Sequence, residues 1–455
     1  MTKIDHLIIL ISGLILLSSC GPSPDQQKRM NYANEIEESL KNKLLAPWYP
    51  KAVDEEFGGF YSNILYDFEL GEQQLKMIVS QARHVWTNAK AYQRYPEITH
   101  YKTSAEAGFR FLKEVMWDEE CGGFYSLTER DGTVIDQELV EKTAYGNAFA
   151  IFGLAAYYEA TGNEEALALA KEIFLWLEEN SHDDEYLGYF QHLTCNGTPI
   201  SRTDKMPSTS DVGYKDQNSS IHLLEAFTEL YQVWPDTLVR ERLEEMLVLI
   251  RGTITNEKGY LTLFMERDWT PVSFRDSSRE DISLHYYLDH VSFGHDVETA
   301  FLMIEASHVL GLENDEKTYE IAKKMVDHAL ENGFDQEVGG FYDAGYYFAG
   351  EDTLTIIRDT KNWWAQAEGL NALLLMAELY PNDEHNYFGK FEKQWAYIDK
   401  YLIDHEHGGW YEGGLDMQPV LKTRMKGHIW KTAYHNYRAL ANTVDMLNGE
   451  FELIH

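Results

Sequence analysis

Cysteine is nearly missing from this chain, with three in 455 residues. That is too few for a disulfide framework, so the fold must rest on a packed core. Cations are scarce as well, 39 Lys and Arg against 75 Asp and Glu, for a formal net charge of −36. Proteins that grip nucleic acid or anionic lipid do so through clustered Lys and Arg, and this balance argues against both. Neither CxxC nor HExxH occurs, so no motif asks for a metal, and nothing else points to a cofactor. Long apolar runs are missing too. The one near the start, residues 7–17, is shorter than the roughly 20 residues that a membrane-spanning helix needs.

What is present begins with that short run. Lys3 precedes it and Leu17-Ser18-Ser19-Cys20-Gly21 follows, the layout of a secretory leader. Its ending resembles a bacterial lipobox, which implies cleavage before Cys20 and acylation of that thiol. The expected organisation is a leader over residues 1–19, a lipidated cysteine and tether over 20–28, and one domain over 29–455. The chain is then an envelope lipoprotein that meets a membrane only through its anchor, on a face and in a membrane that the sequence leaves open. Cys121 and Cys195 remain, in equivalent loops of neighbouring repeats, and whether they form a bridge stays open. A hydrophobic content of 44% is enough for a large core.

The repeat is marked by a glycine-aromatic turn. It appears as Gly58-Gly59-Phe60, Gly122-Gly123-Phe124, Gly188-Tyr189-Phe190, Gly259-Tyr260-Leu261, Gly339-Gly340-Phe341 and Gly408-Gly409-Trp410. Glycines followed by aromatics suit a tight turn leading into a short strand. A helix with one charged side precedes each marker (34–45, 104–115, 164–179, 238–250, 318–330, 391–403). A helix apolar on more than one face follows it (82–92, 146–158, 220–231, 296–310, 364–379, 435–446). Six such pairs predict an all-α fold of two concentric rings, an (α/α)₆ barrel with short β-hairpins in its connections. An open solenoid would want polar capping repeats at its ends, whereas the last unit here is among the richest in aromatics and histidines.

In such a barrel the loops entering the inner helices converge on one mouth. There stand Arg83, His84 and Trp86, then Tyr145 and Asn147, then Asn218, His222 and Glu225. His295, Asp296 and Glu298 follow in the stretch SFGHDVETAF, then Trp363, Trp364, Gln366 and Glu368, then His428, Trp430, Tyr434, His435, Asn436 and Arg438. Singly each has a plain structural explanation, but recurrence at one end of six units points to a pocket. Aromatics with amides, carboxylates and Arg fit a sugar, and histidines can move its protons near neutral pH. Two imidazoles on opposite faces of one carbon would invert a stereocentre beside a carbonyl. Asp296 or Glu298 would raise a histidine pKa, and the pair in opposite protonation states would give a bell-shaped pH profile.

SFGHDVETAF, KNWWAQAEGL, SSIHLLEAF and WKTAYHNYRAL resemble motifs of the N-acylglucosamine 2-epimerase superfamily, its cellobiose 2-epimerases most of all. The resemblance implies an (α/α)₆ barrel that epimerises reducing-end aldoses without metal or cofactor through a cis-enediolate. It implies His295 and His435 as the acid/base pair, His222 as a third active-site histidine, Arg83 on the C2 and enediolate oxygens, and Glu298 orienting a histidine. It also implies Trp364 stacking on the sugar. The other substrate-binding candidates, taken from the mouth itself, are Tyr145, Asn147, Asn218, Trp363, Glu368, Trp430 and Arg438. Three positions depart from the pattern: Ser220 stands where another histidine is usual, Ala365 in place of a proline, and Thr432-Ala433 in place of cysteine-proline. The expected partner is a neutral reducing mono- or disaccharide. An aldose–ketose isomerase, an N-acylglucosamine 2-epimerase, a glycoside hydrolase using Glu225, Glu298 or Glu368, and a glycan-binding lipoprotein remain alternatives.

Overall fold

The computed structural model describes residues 23–135, 139–313, 315–451 and 453. The leader and the lipidation candidate Cys20 lie outside the described residues.

Six inner helices, Ile78–Arg94, Ala144–Thr161, Gln217–Val233, Phe293–Val309, Trp363–Leu379 and Tyr434–Asn448, each pack on the next, and the last meets the first. Six outer helices back them: Pro24–Glu38, His100–Phe111, Glu164–Asn180, Thr237–Leu249, Glu316–Asn332 and Tyr387–Tyr401. This is the expected (α/α)₆ barrel. Side-chain chemistry sorts the rings. The inner helix Ala144–Thr161 buries residues on every face, whereas the outer Glu316–Asn332 buries one stripe, Ala322, Met325, Val326, Ala329 and Leu330. Glycine lets inner helices close up: a Cβ on Gly153 would sit 2.7 Å from the Ala82 carbonyl oxygen.

All six glycine-aromatic turns are present, each closed by an antiparallel bridge, from Val53 to Phe60 in the first to Ile403 to Trp410 in the last. The degenerate third copy puts Leu187 at a φ of 63°, just ahead of Gly188 at 68°. Two-stranded sheets tie one unit to the next. Lys76–Met77 pairs with Leu127–Thr128, Lys142–Thr143 with His192–Leu193, and Lys215–Asp216 with Phe264–Met265.

Two features were not foreseen. Five turns carry a buried lysine on an aspartate that is itself buried in all but Asp335: Lys76–Asp54, Lys142–Asp118, Lys215–Asp183, Lys361–Asp335 and Lys426–Asp404, at 2.6–3.0 Å. The aspartate also accepts from turn amides, as Asp404 does from Glu406 and His407, so the pair satisfies a loop that would otherwise bury open donors. The second is a further helix, Arg279–Asp289, capped by Ser278 on the Asp281 amide and lying just ahead of the fourth inner helix. The expected tether also ends early. Ser23 and Gln26 form a capping box, and the chain is helical from Pro24. Among the described residues no helix is long and apolar enough to cross a membrane.

Candidate active site

At the mouth, where the inner helices begin, a cavity of about 290 Å³ is lined by Arg83, Tyr145, Asn218, His222, Tyr287, His295, Glu298, Trp363, Trp364, Trp430 and His435. An adjoining space of about 160 Å³ shares several of these and adds His290, Asp211 and Asp216. His295 and His435, on different helices, therefore face one cavity.

Helical spacing builds the site in two layers. Residues three apart share a helix face, and the pairs His222/Glu225, His295/Glu298 and His435/Arg438 each put a histidine at the cavity with a charge beneath it. Arg438 lies at the centre of the lower layer. It donates to Glu298 and Glu368 at 2.6 Å each, and to Glu225 and the Tyr434 hydroxyl. Tyr434 in turn donates to Glu225. Glu298, Glu368 and His435 come close enough to hold a metal ion, but the Arg438 guanidinium already bonds both carboxylates.

These carboxylates orient the imidazoles. His222 Nδ1 lies 2.7 Å from Glu225, and His435 Nδ1 lies 2.7 Å from Glu368 and 3.7 Å from Glu298. Glu368 is thus the carboxylate that positions His435, the part expected of Glu298. His295 Nδ1 instead meets the Ser292 hydroxyl at 2.7 Å. Trp364 stands against both rings, 4.6 Å from the His295 centroid and 5.8 Å from that of His435. Gly294 makes this fit possible, since a Cβ there would lie 2.7 Å from the Trp364 ring.

Arg83 donates to the Trp430 carbonyl and the Tyr145 hydroxyl at 3.0 Å each and packs on the Phe149 ring at 4.3 Å. Its Nε is buried without a partner. Trp363 is buried at the cavity wall, while Trp430 is 46% exposed at the rim.

Electrostatics overturn one expectation. Burial pushes His295 down to about 3, helped by the neighbouring His222, His290 and His435. Burial and the cations Arg83 and Arg438 hold His435 well below its usual value, and Glu298 does not offset them. Burial therefore favours the neutral form of both imidazoles; of the two carboxylates expected to raise them, Glu298 is bonded to Arg438 and Asp296 turns to the Leu261 amide. Burial would raise Glu225, but Arg438 and His222 outweigh it and hold it at about 2.

Several candidates sit elsewhere than expected. Asn147 accepts from the Phe124 amide at 2.9 Å and donates to the Thr143 carbonyl, so it holds the turn rather than a sugar. Asp296 does the same for the Leu261 amide, and burial keeps its carboxyl well above the usual range. Neighbours on a helix point about 100° apart, so a residue next to a cavity-facing one looks outward. His84 is buried against Tyr49 and Phe60. Glu368 and Arg438 lie below the cavity, in the ion cluster. Tyr287 and His290 were missed; their signal was the Ser278-x-x-Asp281 cap opening the helix that carries Tyr287 and ends against His290. A larger cavity of about 390 Å³ lies at the opposite end of the inner ring, beyond Glu225 and Arg438.

The family described as N-acylglucosamine 2-epimerase (GlcNAc 2-epimerase) matches residues 59–439. A cellobiose 2-epimerase of Bacteroides fragilis is 29% identical over 409 residues, covering 89% of this chain and 96% of its own. One of Ruminococcus albus is 30% identical over 413 residues with the same coverage. The structure of a cellobiose 2-epimerase from Spirochaeta thermophila superposes with a TM-score of 0.79 at 27% identity, over 95% of this chain and all of the other.

Proposed function

The chain belongs to the N-acylglucosamine 2-epimerase family, and on that premise we propose that it inverts C2 of the reducing-end aldose of a neutral oligosaccharide of the cellobiose or mannobiose kind. The observation that carries this reading is that three imidazoles, His222, His295 and His435, face one cavity beside a guanidinium and a tryptophan. The named relatives support the reaction class.

Each partner suggests a role. With its Nδ1–H held by Glu368, His435 presents a bare Nε2 to the cavity, as a base needs. The Ser292 hydroxyl can donate or accept, so His295 can hold either tautomer and move a proton from O1 to O5 as the ring opens. His435 then takes the C2 proton, and its imidazolium is stabilised by Glu368. Arg83 lies beside the oxygens of the cis-enediolate, where one such donor is worth about 3 kcal/mol. That negative charge raises the proton affinity of the otherwise neutral His295. After rotation about C2–C3, His295, having taken up a proton from water, delivers it to the other face, and His435 gives the abstracted proton to water, so both imidazoles end neutral. Trp364 gives the sugar an apolar surface between the two.

Incubation with a panel of reducing disaccharides in heavy water, followed by NMR, tests the reading. A C2 epimer carrying deuterium at C2 is expected, whereas a ketose or released monosaccharides would replace it with isomerase or hydrolase activity. We also propose, from residues 1–20 alone, that the mature protein is held in the cell envelope by a lipid on Cys20.

A further inference from the structure

Three inter-unit contacts of the barrel are built alike, and at one of them two cysteines replace the usual pair. After the strand Leu127–Thr128, Arg130 reaches back to the preceding turn, bonding Asp54 at 2.9 Å and lying 4.9 Å over the Phe57 ring. After the strand Phe264–Met265, Arg267 does the same, bonding Asp183 at 2.9 Å and lying 5.2 Å over the Tyr186 ring. After the strand His192–Leu193, the equivalent position is Cys195, and the residue equivalent to Phe57 and Tyr186 is Cys121. The two sulfurs and an Asp118 oxygen lie within 4.8 Å of one another, and the Cys195 thiol points at that oxygen at 3.6 Å. Both residues are partly exposed free thiols. They are the only cysteines beyond Cys20.

We propose that Cys121 and Cys195 form a disulfide that takes over the role of the arginine–aromatic interlock between the second and third units. The oxidant is a disulfide, small or protein-borne. The Cys121 thiolate attacks one sulfur of RSSR, forming a mixed disulfide and releasing RS⁻, which takes a proton to become RSH. The Cys195 thiolate then attacks the Cys121 sulfur and expels the second RS⁻. The net change is two protein thiols and RSSR to one protein disulfide and two RSH, with two electrons passed to the oxidant. The sulfurs already lie within 4.8 Å, and Lys142 holds the two loops together by bonding Asp118 and the Gly122 carbonyl in one and the Cys195 carbonyl in the other. A metal is disfavoured there: the Lys142 ammonium already bonds Asp118 at 2.6 Å and the Cys195 carbonyl at 2.7 Å.

The purified protein, equilibrated with glutathione disulfide, acid-quenched and alkylated, should give one cross-linked peptide pair joining Cys121 to Cys195, two hydrogens lighter than the sum of its parts. Its melting temperature should fall by a few degrees on reduction. The double variant Cys121→Phe/Cys195→Arg, which restores the pattern of the neighbouring units, should melt at the same temperature with and without reductant. Glutathione adducts on either cysteine in place of the cross-link, both thiols still alkylatable with a melting temperature indifferent to reductant, or stoichiometric zinc protecting both thiols would each overturn the proposal.

Discussion

His435 and Glu368 meet at 2.7 Å below the floor of the cavity, and the same Glu368 oxygen accepts from Arg438 at 2.6 Å. One carboxylate therefore fixes the tautomer of the proposed base and is itself fixed by a buried cation. Changing Glu368→Gln keeps the volume and removes the charge that would stabilise imidazolium. We expect kcat to fall about 100-fold or more with KM changed only a few-fold. Steady-state kinetics check this, and a kcat within twofold of wild type would deny Glu368 that part.

Arg438 is the one cation bonded to Glu225, Glu298 and Glu368 among the described residues. Arg438→Met leaves these carboxylates buried without that partner. A loss of about 3–5 kcal/mol is expected in denaturant unfolding, together with loss of activity, because His222 and His435 hang from the same carboxylates.

The buried lysine–aspartate pairs of the turns should matter as much to stability and less to chemistry. At Lys426–Asp404 both side chains are 1% exposed. Lys426→Met should cost about 3 kcal/mol or more in unfolding free energy, whereas breaking an exposed pair such as Lys113–Glu165 by the same change should leave the unfolding midpoint nearly unmoved.

The neutral histidines set the pH dependence. Burial holds His84 and His295 at about 3, and His290 and His328 at about 4. Below about 6.5 the unfolded chain takes up protons there that the folded chain refuses, so stability falls as pH drops toward 4, roughly 1.4 kcal/mol per pH unit for each group. Asp216 and Glu305, which burial raises to about 6 and about 8, and Asp296, held well above the usual range, oppose this because the folded state holds their protons longer, but the buried histidines outnumber them. Melting temperature should therefore decline from pH 6.5 to 4.5. The acid limb of kcat/KM should lie below pH 6, since the proposed base is neutral through that range. An acid limb at the ordinary histidine value of 6.5 would contradict the neutral pair.

For the proposed anchor, Cys20→Ser expressed from the full chain should move the protein from the membrane fraction to the soluble one and abolish labelling by a fatty-acid probe. Unchanged fractionation would remove the anchor from the account.

Much of this was readable in advance because the repeat is punctuated by glycine, and left-handed turns tolerate few other residues. The barrel, its mouth and the clustering of His222, His295, His435, Arg83 and Trp364 followed from that punctuation. Which way a side chain points did not. Asp296 lies one residue from the cavity-facing His295 and Asn147 two from Tyr145, and both turn to the glycine-aromatic loops. The aspartate of each lysine–aspartate pair stood four residues before the first glycine, as in Asp54 and Gly58, or five in Asp183 and Gly188, but an Asp in an acidic loop looks like solvated charge. The exchange of Glu298 for Glu368 was also out of reach, because it depends on how three helices converge on one guanidinium.

The most direct measurement follows the C2 proton itself. Wild type, His295→Ala and His435→Ala are each incubated with a reducing β-1,4-linked disaccharide in heavy water, and C2 is observed by NMR. The account predicts a deuterated epimer from wild type and no epimer from either variant. An epimer formed by either variant at close to the wild-type rate would contradict it.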